Sequence, residues 1–375
     1  MNRITVYNSE NVQEEKFEEA IMTGNTLGWV IVAFVLYLLM MIAIGAFYAK
    51  GNNNSEDYFL GGRKLNGFVA ALSAQASDMS GWLLMGLPGA IYLTGVGGDG
   101  WIAIGLFIGT TLNWLFIATK LRRYTIRANN SVTLPTYFEN RFHDEKKVLM
   151  TVSSITIVVF FLVYCASALS AGGQLFESVF GIDYHVALTI GALVVLVYTF
   201  LGGFTAVCVT DFIQGMLMLV GILAVPLFAY HFLTSGGTTL SAGLEASGAD
   251  SANFLNLMKN GDGSNNIVSV ISGLGWGLGY FGMPHILVRF MAVRDEKEMT
   301  KSKATAISWV ALSLGFAVFI GILGRAYLPE LVNGNNEKVF IEMIKKVFTM
   351  EMRAPFIAGL FLCGILAAIM STADS

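Results

Sequence analysis

The feature that most constrains this chain is a run of 22 residues, 28–49, without a charged side chain. A helix needs about 20 apolar residues to cross roughly 30 Å of hydrocarbon, whereas a soluble core helix of that length normally keeps a polar face. Of all residues, 55% are hydrophobic and 13% are charged, against about 25% charged in soluble domains. The sequence therefore predicts an integral membrane protein.

Nine apolar segments, numbered here as spans 1 to 9, are each long enough to cross a bilayer. They are residues 28–49, 67–95, 100–119, 148–178, 184–206, 211–233, 267–291, 304–328 and 354–375. Backbone polar groups in lipid must bond internally, and no segment alternates in polarity as a membrane β-barrel strand does. We therefore predict an all-α membrane domain over residues 28–375, preceded by an extracellular acidic tail, residues 1–27.

The basic residues are unevenly distributed among the loops. Most of the 23 Lys and Arg residues follow spans 1, 3 and 7, among them Arg63, Arg122 and Arg289. The positive-inside rule places these loops in the cytoplasm. We therefore expect a multi-pass protein of the cell membrane with its N terminus outside. The net charge of −3 does not indicate a nucleic-acid partner.

Span 2 carries an intramembrane carboxylate, Asp78, beside Ser77, Ser80 and Gly81. A charged side chain inside a bilayer is costly unless it is solvated or paired, so Asp78 is a candidate functional residue. The alternative is a structural bond to a neighbouring helix. Gly81 and the short hydroxyl side chains weaken helix continuity, and a break would free carbonyls for a cation and N–H groups for an anion.

Span 7 holds five glycines between residues 273 and 282, followed by Pro284. Pro284 cannot donate a hydrogen bond to the preceding turn, and Trp276 and Tyr280 share one helix face. The alternative interpretation, close helix packing, accounts for the glycines but not for the proline and the aromatic pair. Spans 2 and 7 lie five spans apart, so their interruptions predict an inverted repeat of five plus five helices behind one extra helix.

Span 9 places two adjacent hydroxyls, Ser371 and Thr372, in an apolar segment. Such hydroxyls often bond to carbonyls of their own helix, and they can equally ligate a monovalent cation. The chain stops at Ser375, directly after this segment. We therefore expect the second repeat to be truncated in this chain.

Other classes of function fit the sequence less well. An ion channel needs a continuous polar pore, and a membrane sensor needs a cytoplasmic signalling domain. The four histidines show no metal-ligand spacing, and the three cysteines lie in apolar runs, as packing residues do. No nucleophile motif or nucleotide-binding loop indicates an enzyme.

Several motifs resemble the sodium:solute symporter family. They are DYFLGGRKLNG (57–67), ASDMSGW (76–82), TLPTYFENRF (133–142), TDFIQG (210–215) and AAIMSTADS (367–375). The stretch GWGLGYFGMPHILVRFMA (275–292) is most similar to the proline-transporting members, although Met283 stands where a glutamine is expected. The resemblance implies a LeuT-type inverted repeat and the import of L-proline by sodium symport. Symport of another amino acid, pantothenate or a sugar is the alternative.

The resemblance also implies site residues, carried over by motif position. Those expected to bind the co-transported sodium ion are the carbonyls of Ala76, Met79 and Ala368 and the hydroxyls of Ser371 and Thr372. Those expected at the proline pocket are Ser80, Gly81, Trp276, Tyr280 and Pro284. Those linked to coupling and turnover are Asp78, Asp211 and Arg63. The expected partners are L-proline or a similar solute and membrane lipid, with no obligatory protein partner.

Overall fold

The computed structural model describes residues 24–49, 55–333 and 335–375, which are mostly helical. The main helices are α1 (Asn25–Tyr48), α2 (Gly67–Gly81), α3 (Leu87–Thr94), α4 (Val96–Leu112), α5 (Ala118–Arg127), α6 (Leu134–Phe142), α7 (Val148–Phe180), α8 (Tyr184–Ser235), α9 (Ile267–Trp276), α10 (Pro284–Ala292), α11 (Glu296–Tyr327) and α12 (Pro355–Ala373). No β-strand occurs in these ranges, which confirms the all-α prediction for them. Most of the predicted acidic tail, residues 1–23, lies outside the described residues.

Shorter helical segments connect or interrupt the main helices. The α-helical and 3-10 segments are Ser55–Leu60, Gly61–Arg63, Leu240–Ala246, Ser251–Phe254, Gly277–Gly282, Pro329–Asn333, Asn336–Lys338 and Val339–Ile344. The π-helical turns are Trp82–Gly86, Asn113–Ile117 and Lys345–Glu351. A π-turn of this kind often marks a functional site within a helix.

Among the described residues, six helices are long and apolar enough to cross a membrane, or seven if the bent pair α9 and α10 forms one span. The prediction of nine spans differs from this count for two reasons. Span 2 is divided into α2 and α3, neither of which is long enough alone. Spans 5 and 6 both fall within α8, which runs for 52 residues.

Helix α8 reverses direction at Gly203, whose φ of 62° lies in the left-handed region. A straight helix of 52 residues would be about 78 Å long, more than twice the thickness of a bilayer core. Near its C-terminal end, the Phe228 ring packs 5.6 Å from that of Phe348. Three residues before Phe348, Lys345 donates to the carbonyl of Ser178 at the end of α7. Both ends of α8 therefore lie at one side of the molecule, as two separate spans require.

The glycines of span 7 have two different environments. A Cβ atom on Gly273 or Gly277 would strike the backbone of α4, where Gly105 and Gly109 make the close approach possible. By contrast, a Cβ on Gly275, Gly279 or Gly282 would meet nothing within 4 Å. Close packing therefore explains Gly273 and Gly277. It does not explain the other three glycines, which lie near the bend between α9 and α10.

Apolar and basic residues lie where a bilayer requires them. Helix α7 leaves side chains such as Val158 and Phe160 more than half exposed, as contact with lipid requires. At one end of the molecule, Arg63 and Arg122 donate to carbonyls of residues Met291 and Val293. The placement of Arg289 in a loop beside them is wrong: Arg289 lies within α10 and is 1% exposed, because it neutralises a buried carboxylate.

Candidate functional site

The centre of the site is a break in span 2 between α2 and its continuation. Ser80 adopts φ 52° and ψ −173°, which no helix residue adopts. The Trp82 N–H donates to Ser80 Oγ over 3.1 Å and so fixes the turn. A Cβ on Gly81 would lie 3.2 Å from Ile369 of α12, so glycine lets α12 approach the break. The interruption predicted from Gly81 and its hydroxyl neighbours is therefore present, one residue earlier.

Four of the five predicted sodium ligands come together between α2 and α12. Ser371 Oγ lies 2.9 Å from the Ala76 carbonyl and 3.2 Å from that of Ala368. Thr372 Oγ1 lies 3.0 Å from the Ser77 carbonyl and 3.1 Å from that of Ala368. Each hydroxyl therefore bonds to its own helix, as one of the two alternatives predicts, and also across to α2; ligation of a cation by these hydroxyls stays a prediction.

The cluster of neutral oxygens is buried and uncharged. Ala76, Ala368 and Ser371 are 0% exposed and Thr372 is 6% exposed. The Met79 carbonyl, the fifth predicted ligand, accepts the Trp82 N–H at the turn. Carbonyl and hydroxyl oxygens are hard ligands that suit a small monovalent cation, so this arrangement can exchange its internal hydrogen bonds for bonds to sodium.

Asp211 lies directly beside this cluster and is paired with Arg289. Asp211 Oδ2 accepts from Arg289 Nη2 over 3.0 Å and from Ser73 Oγ over 2.7 Å. Arg289 Nη2 also donates to Ser375 Oγ over 2.6 Å, and Ser375 Oγ donates to the Ser371 carbonyl over 2.7 Å. A hydrogen-bonded network, buried at Asp211 and Arg289, therefore connects α8 and α10 to the part of α12 that carries the hydroxyls.

A cavity of about 380 Å³ opens on the other side of the break. Its lining includes three predicted pocket residues, Ser80, Trp276 and Tyr280. The Trp276 ring is stacked on that of Trp82, with ring centroids 5.6 Å apart and planes 26° apart. The walls are thus largely aromatic and match an apolar ring or chain with a few polar groups.

The two other predicted pocket residues do not line this cavity. Gly81 supports it from behind, against α12. Pro284 lines a second cavity of about 570 Å³, which also contacts Thr372 and extends to Pro135 near the basic end. Tyr164 lines both cavities and donates to the Asp78 carbonyl over 2.9 Å, so it separates them.

Asp78 lies in span 2 directly after Ala76 and Ser77, whose carbonyls meet α12. Its side chain is buried and faces the 380 Å³ cavity. Asp78 Oδ1 is 3.6 Å from His285 Nε2, and Asp78 Oδ2 has no hydrogen-bond partner among the described residues. The structure thus places Asp78 beside the candidate solute cavity, while Asp211 lies beside the hydroxyl cluster.

Arg63 joins the turn after span 1 to two other elements at the basic end. Its guanidinium donates to the Met291 carbonyl over 2.7 Å, to the Ser131 carbonyl over 2.8 Å and to Asn130 Oδ1 over 3.0 Å. Burial lowers the pKa of the Arg63 guanidinium, which nevertheless remains charged. Arg63 precedes α2, whereas the hydroxyl cluster lies near the C-terminal end of that helix, so Arg63 does not contact the cluster.

Three residues of the site were missed by the sequence analysis. Arg289 lies inside the boundaries drawn for span 7, so the rule applied to Asp78, that an intramembrane charge is a functional candidate, would have identified it. Trp82 was quoted within a motif, but its stacking on Trp276 depends on the bend between α9 and α10. Tyr164 lies in a plain apolar span, and only the packing of α7 brings it to Asp78.

Comparison with known proteins agrees with this geometry. The model of the sodium:solute symporter family matches residues 58–375. The chain belongs to this family. The match includes both halves of the hydroxyl and carbonyl cluster and all the residues that line the aromatic cavity.

Curated family members that are similar to the chain are named sodium/proline symporters. Those of Salmonella typhimurium and Escherichia coli are 45% and 44% identical to it, each over 91% of this chain. That of Staphylococcus aureus is 42% identical over 92% of this chain. The chain spans 65% to 66% of the length of these three relatives.

A solved structure shares the fold of the chain. It is a substrate-bound, outward-open Na+-coupled sialic acid symporter, with a TM-score of 0.76 and 21% sequence identity. The alignment covers 92% of this chain and 71% of that one. At this identity the likeness establishes the fold and leaves the solute to be argued from the cavity.

Proposed function

We propose that this protein is a secondary active transporter that imports L-proline with sodium by alternating access. One observation carries the proposal: at the break in span 2, carbonyls facing one side meet the hydroxyls of α12, and the other side opens on an aromatic cavity. An ion site and a solute site that share one helix break can be coupled without a long-range pathway. The family relationship and the names of the similar proteins support the same function.

Sodium would bind between α2 and α12. Ala76, Met79 and Ala368 would supply carbonyl oxygens, and Ser371 and Thr372 would supply hydroxyls. Bonds of both hydroxyls to carbonyls across the helix interface support four of these assignments. The entry of one sodium ion into a negative cell releases about 2.3 kcal/mol per 100 mV before any concentration term, which can drive the uptake of a solute.

Proline would occupy the cavity beside Trp276 and Tyr280, whose rings would cover its hydrocarbon part. Its carboxylate would lie near Ser80, whose hydroxyl accepts from the Trp82 N–H and keeps its own proton to donate. Gly81 would keep α12 close to the break, and Pro284 would act indirectly by ending the 3-10 segment of span 7. Sodium would order the break and so form the proline site, which is thermodynamic coupling.

Three residues would connect the sites to the motion of the transporter. Asp211, with Arg289, would sense occupancy of the sodium site through the network that reaches Ser371. Asp78 would connect sodium and solute, because the Ala76 and Met79 carbonyls on either side of it would belong to the ion site. Arg63 would hold the inner helix ends together in one state and release them in another.

The topology proposed is a LeuT-type inverted repeat of five plus five helices behind α1, with the second repeat truncated in this chain. The break at Ser80 in span 2 and the 46° bend in span 7 support matching positions in two repeats. Arg63, Arg122 and Arg294 lie at one end, and we propose that this end is cytoplasmic, with the N terminus outside the cell membrane. Lipid would cover the exposed face of α7.

Uptake of labelled L-proline into proteoliposomes of the full-length protein tests this function. Uptake should require an inward sodium gradient and should rise with an inside-negative potential, whereas potassium should not replace sodium. A Leu278→Ala variant serves as a control, because the Leu278 side chain is 73% exposed and does not line the cavity. Sodium-driven uptake of pantothenate, glucose or another amino acid in place of proline would keep the mechanism and replace the solute.

A further inference from the structure

The membrane core contains two buried carboxylates in unequal environments. Asp211 has a permanent countercharge, since the Arg289 guanidinium lies 3.0 Å away. Asp78 has none: in the described part of the chain, the only basic group within 4.0 Å is the His285 imidazole, at 3.6 Å. Asp78 Oδ2 is buried and has no hydrogen-bond partner there. A buried charge without a partner is costly, so this carboxylate is suited to a cation that arrives and leaves.

The direction of the side chain distinguishes between two such cations. The Asp78 side chain lines the cavity with Trp82, Trp276 and Tyr280. The hydroxyls of Ser371 and Thr372, by contrast, do not line that cavity. Asp78 therefore borders the solute side of the break, whereas the Ala76 and Ser77 carbonyls just before it face the ion side.

We propose, on the basis of the proposed function, that the Asp78 carboxylate binds the ammonium group of the transported solute. The solute class is therefore amines with an apolar body, which an aromatic wall also favours through cation–π contact. Tyr280 lines the same cavity as this carboxylate. The carboxylate repels an anion without an amine, such as pantothenate, and leaves a sugar without a charged partner.

The same geometry gives Asp78 a specific part in coupling. Sodium bound by the carbonyls of Ala76 and Met79 fixes the segment in which Asp78 lies, and so orients the carboxylate into the cavity. An ammonium group bound to the carboxylate stabilises the same segment. The sodium ion and the ammonium group thus strengthen each other's binding from opposite sides of the helix. This requires that the free energy gained from the shared ordering of the segment exceeds the repulsion between the two charges.

A pair of ligands that differ in one atom tests the proposal. Tetrahydrofuran-2-carboxylate keeps the ring and carboxylate of proline but has an ether oxygen in place of the ammonium. Sodium-dependent binding of labelled proline to the full-length protein is measured with each compound as competitor. A charged hydrogen bond contributes about 10- to 100-fold in affinity, so the native protein should prefer proline by that factor. In Asp78→Asn the preference should fall to about 3-fold or less.

Two further variants distinguish an effect of the Asp78 charge from an effect of misfolding. Asp78→Glu retains the carboxylate and should keep most of the preference, even where overall affinity falls. Asp99→Asn removes a carboxylate that lines a different cavity, with Thr94 and Asp262, and should leave the preference unchanged. A sodium-induced rise in melting temperature checks that each variant folds and binds the ion.

The outcomes separate this inference from the proposed function. The inference is overturned if the native protein binds proline no better than the ether analogue. It is also overturned if Asp78→Asn keeps the native preference. In both cases the proposed function stands. If Asp78→Asn does not fold, the same comparison is made in Asp78→Ser, in which the preference should likewise fall to about 3-fold or less. Absence of sodium-dependent proline binding overturns the proposed solute, and binding of glucose or pantothenate instead overturns both.

Discussion

Removal of Arg289 should destabilise the protein more than removal of any exposed arginine. The Arg289→Met variant keeps the volume of the side chain but leaves Asp211, which is 0% exposed, without its countercharge. Breaking one partner of a buried ion pair costs about 3–5 kcal/mol. Hydrogen bonds to Ser73, Ser375 and the His285 carbonyl are lost as well, so a value near the upper end of this range is expected.

The measurement is the free energy of unfolding in mixed micelles, from a titration with denaturing detergent that is followed by tryptophan fluorescence. Arg123→Met is the matched control: Arg123 makes an equally direct pair with Glu296, at 2.7 Å, but both side chains are about half exposed. Water and ions screen such a pair, so the unfolding midpoint should hardly move.

The double variant Arg289→Met with Asp211→Asn tests the reason for the loss. Removal of both charges eliminates the unpaired carboxylate, so about 2 kcal/mol or more of the lost stability should return. The reasoning fails if Arg289→Met is no less stable than Arg123→Met, or if the double variant is as unstable as the sum of its single changes.

Three other changes give distinct results. Ser371→Ala and Thr372→Ala should each lower sodium affinity about 10-fold, with less effect on proline affinity at saturating sodium; unchanged uptake at low sodium would contradict the site. Arg63→Lys loses the planar fork, so turnover should fall with little change in the half-saturating proline concentration. Trp276→Ala should weaken proline binding about 10-fold through loss of the aromatic wall, whereas Leu278→Ala should not.

The sequence predicted the parts of the fold that depend on local composition. Uncharged runs located the membrane segments, and Gly81 with its neighbouring hydroxyls located the break, which the structure places at Ser80. The count of spans differed because a helix-length criterion treats α8 as one element, although Gly203 reverses it. Local patterns identify where a helix weakens, whereas the direction in which the chain continues depends on tertiary packing.

The parts of the site that the sequence did not predict are contacts between distant elements. Nothing near Asp211 in the chain indicates that its partner is Arg289, 78 residues later. Likewise, motif position alone put Pro284 and Tyr280 in one pocket, but Tyr280 lies in a short 3-10 segment that ends before Pro284, and the two residues line different cavities. Residue type identified the functional candidates, and packing determined which of them meet.

The most direct test of the account is whether sodium and proline strengthen each other's binding equally. Proline affinity is measured at several sodium concentrations, and sodium affinity at several proline concentrations, by calorimetry on the purified full-length protein. Because coupling between sites is reciprocal, a shared helix break predicts that each ligand tightens the other by the same factor, and that Thr372→Ala reduces both factors together. A proline affinity that is the same in potassium as in sodium would contradict the account.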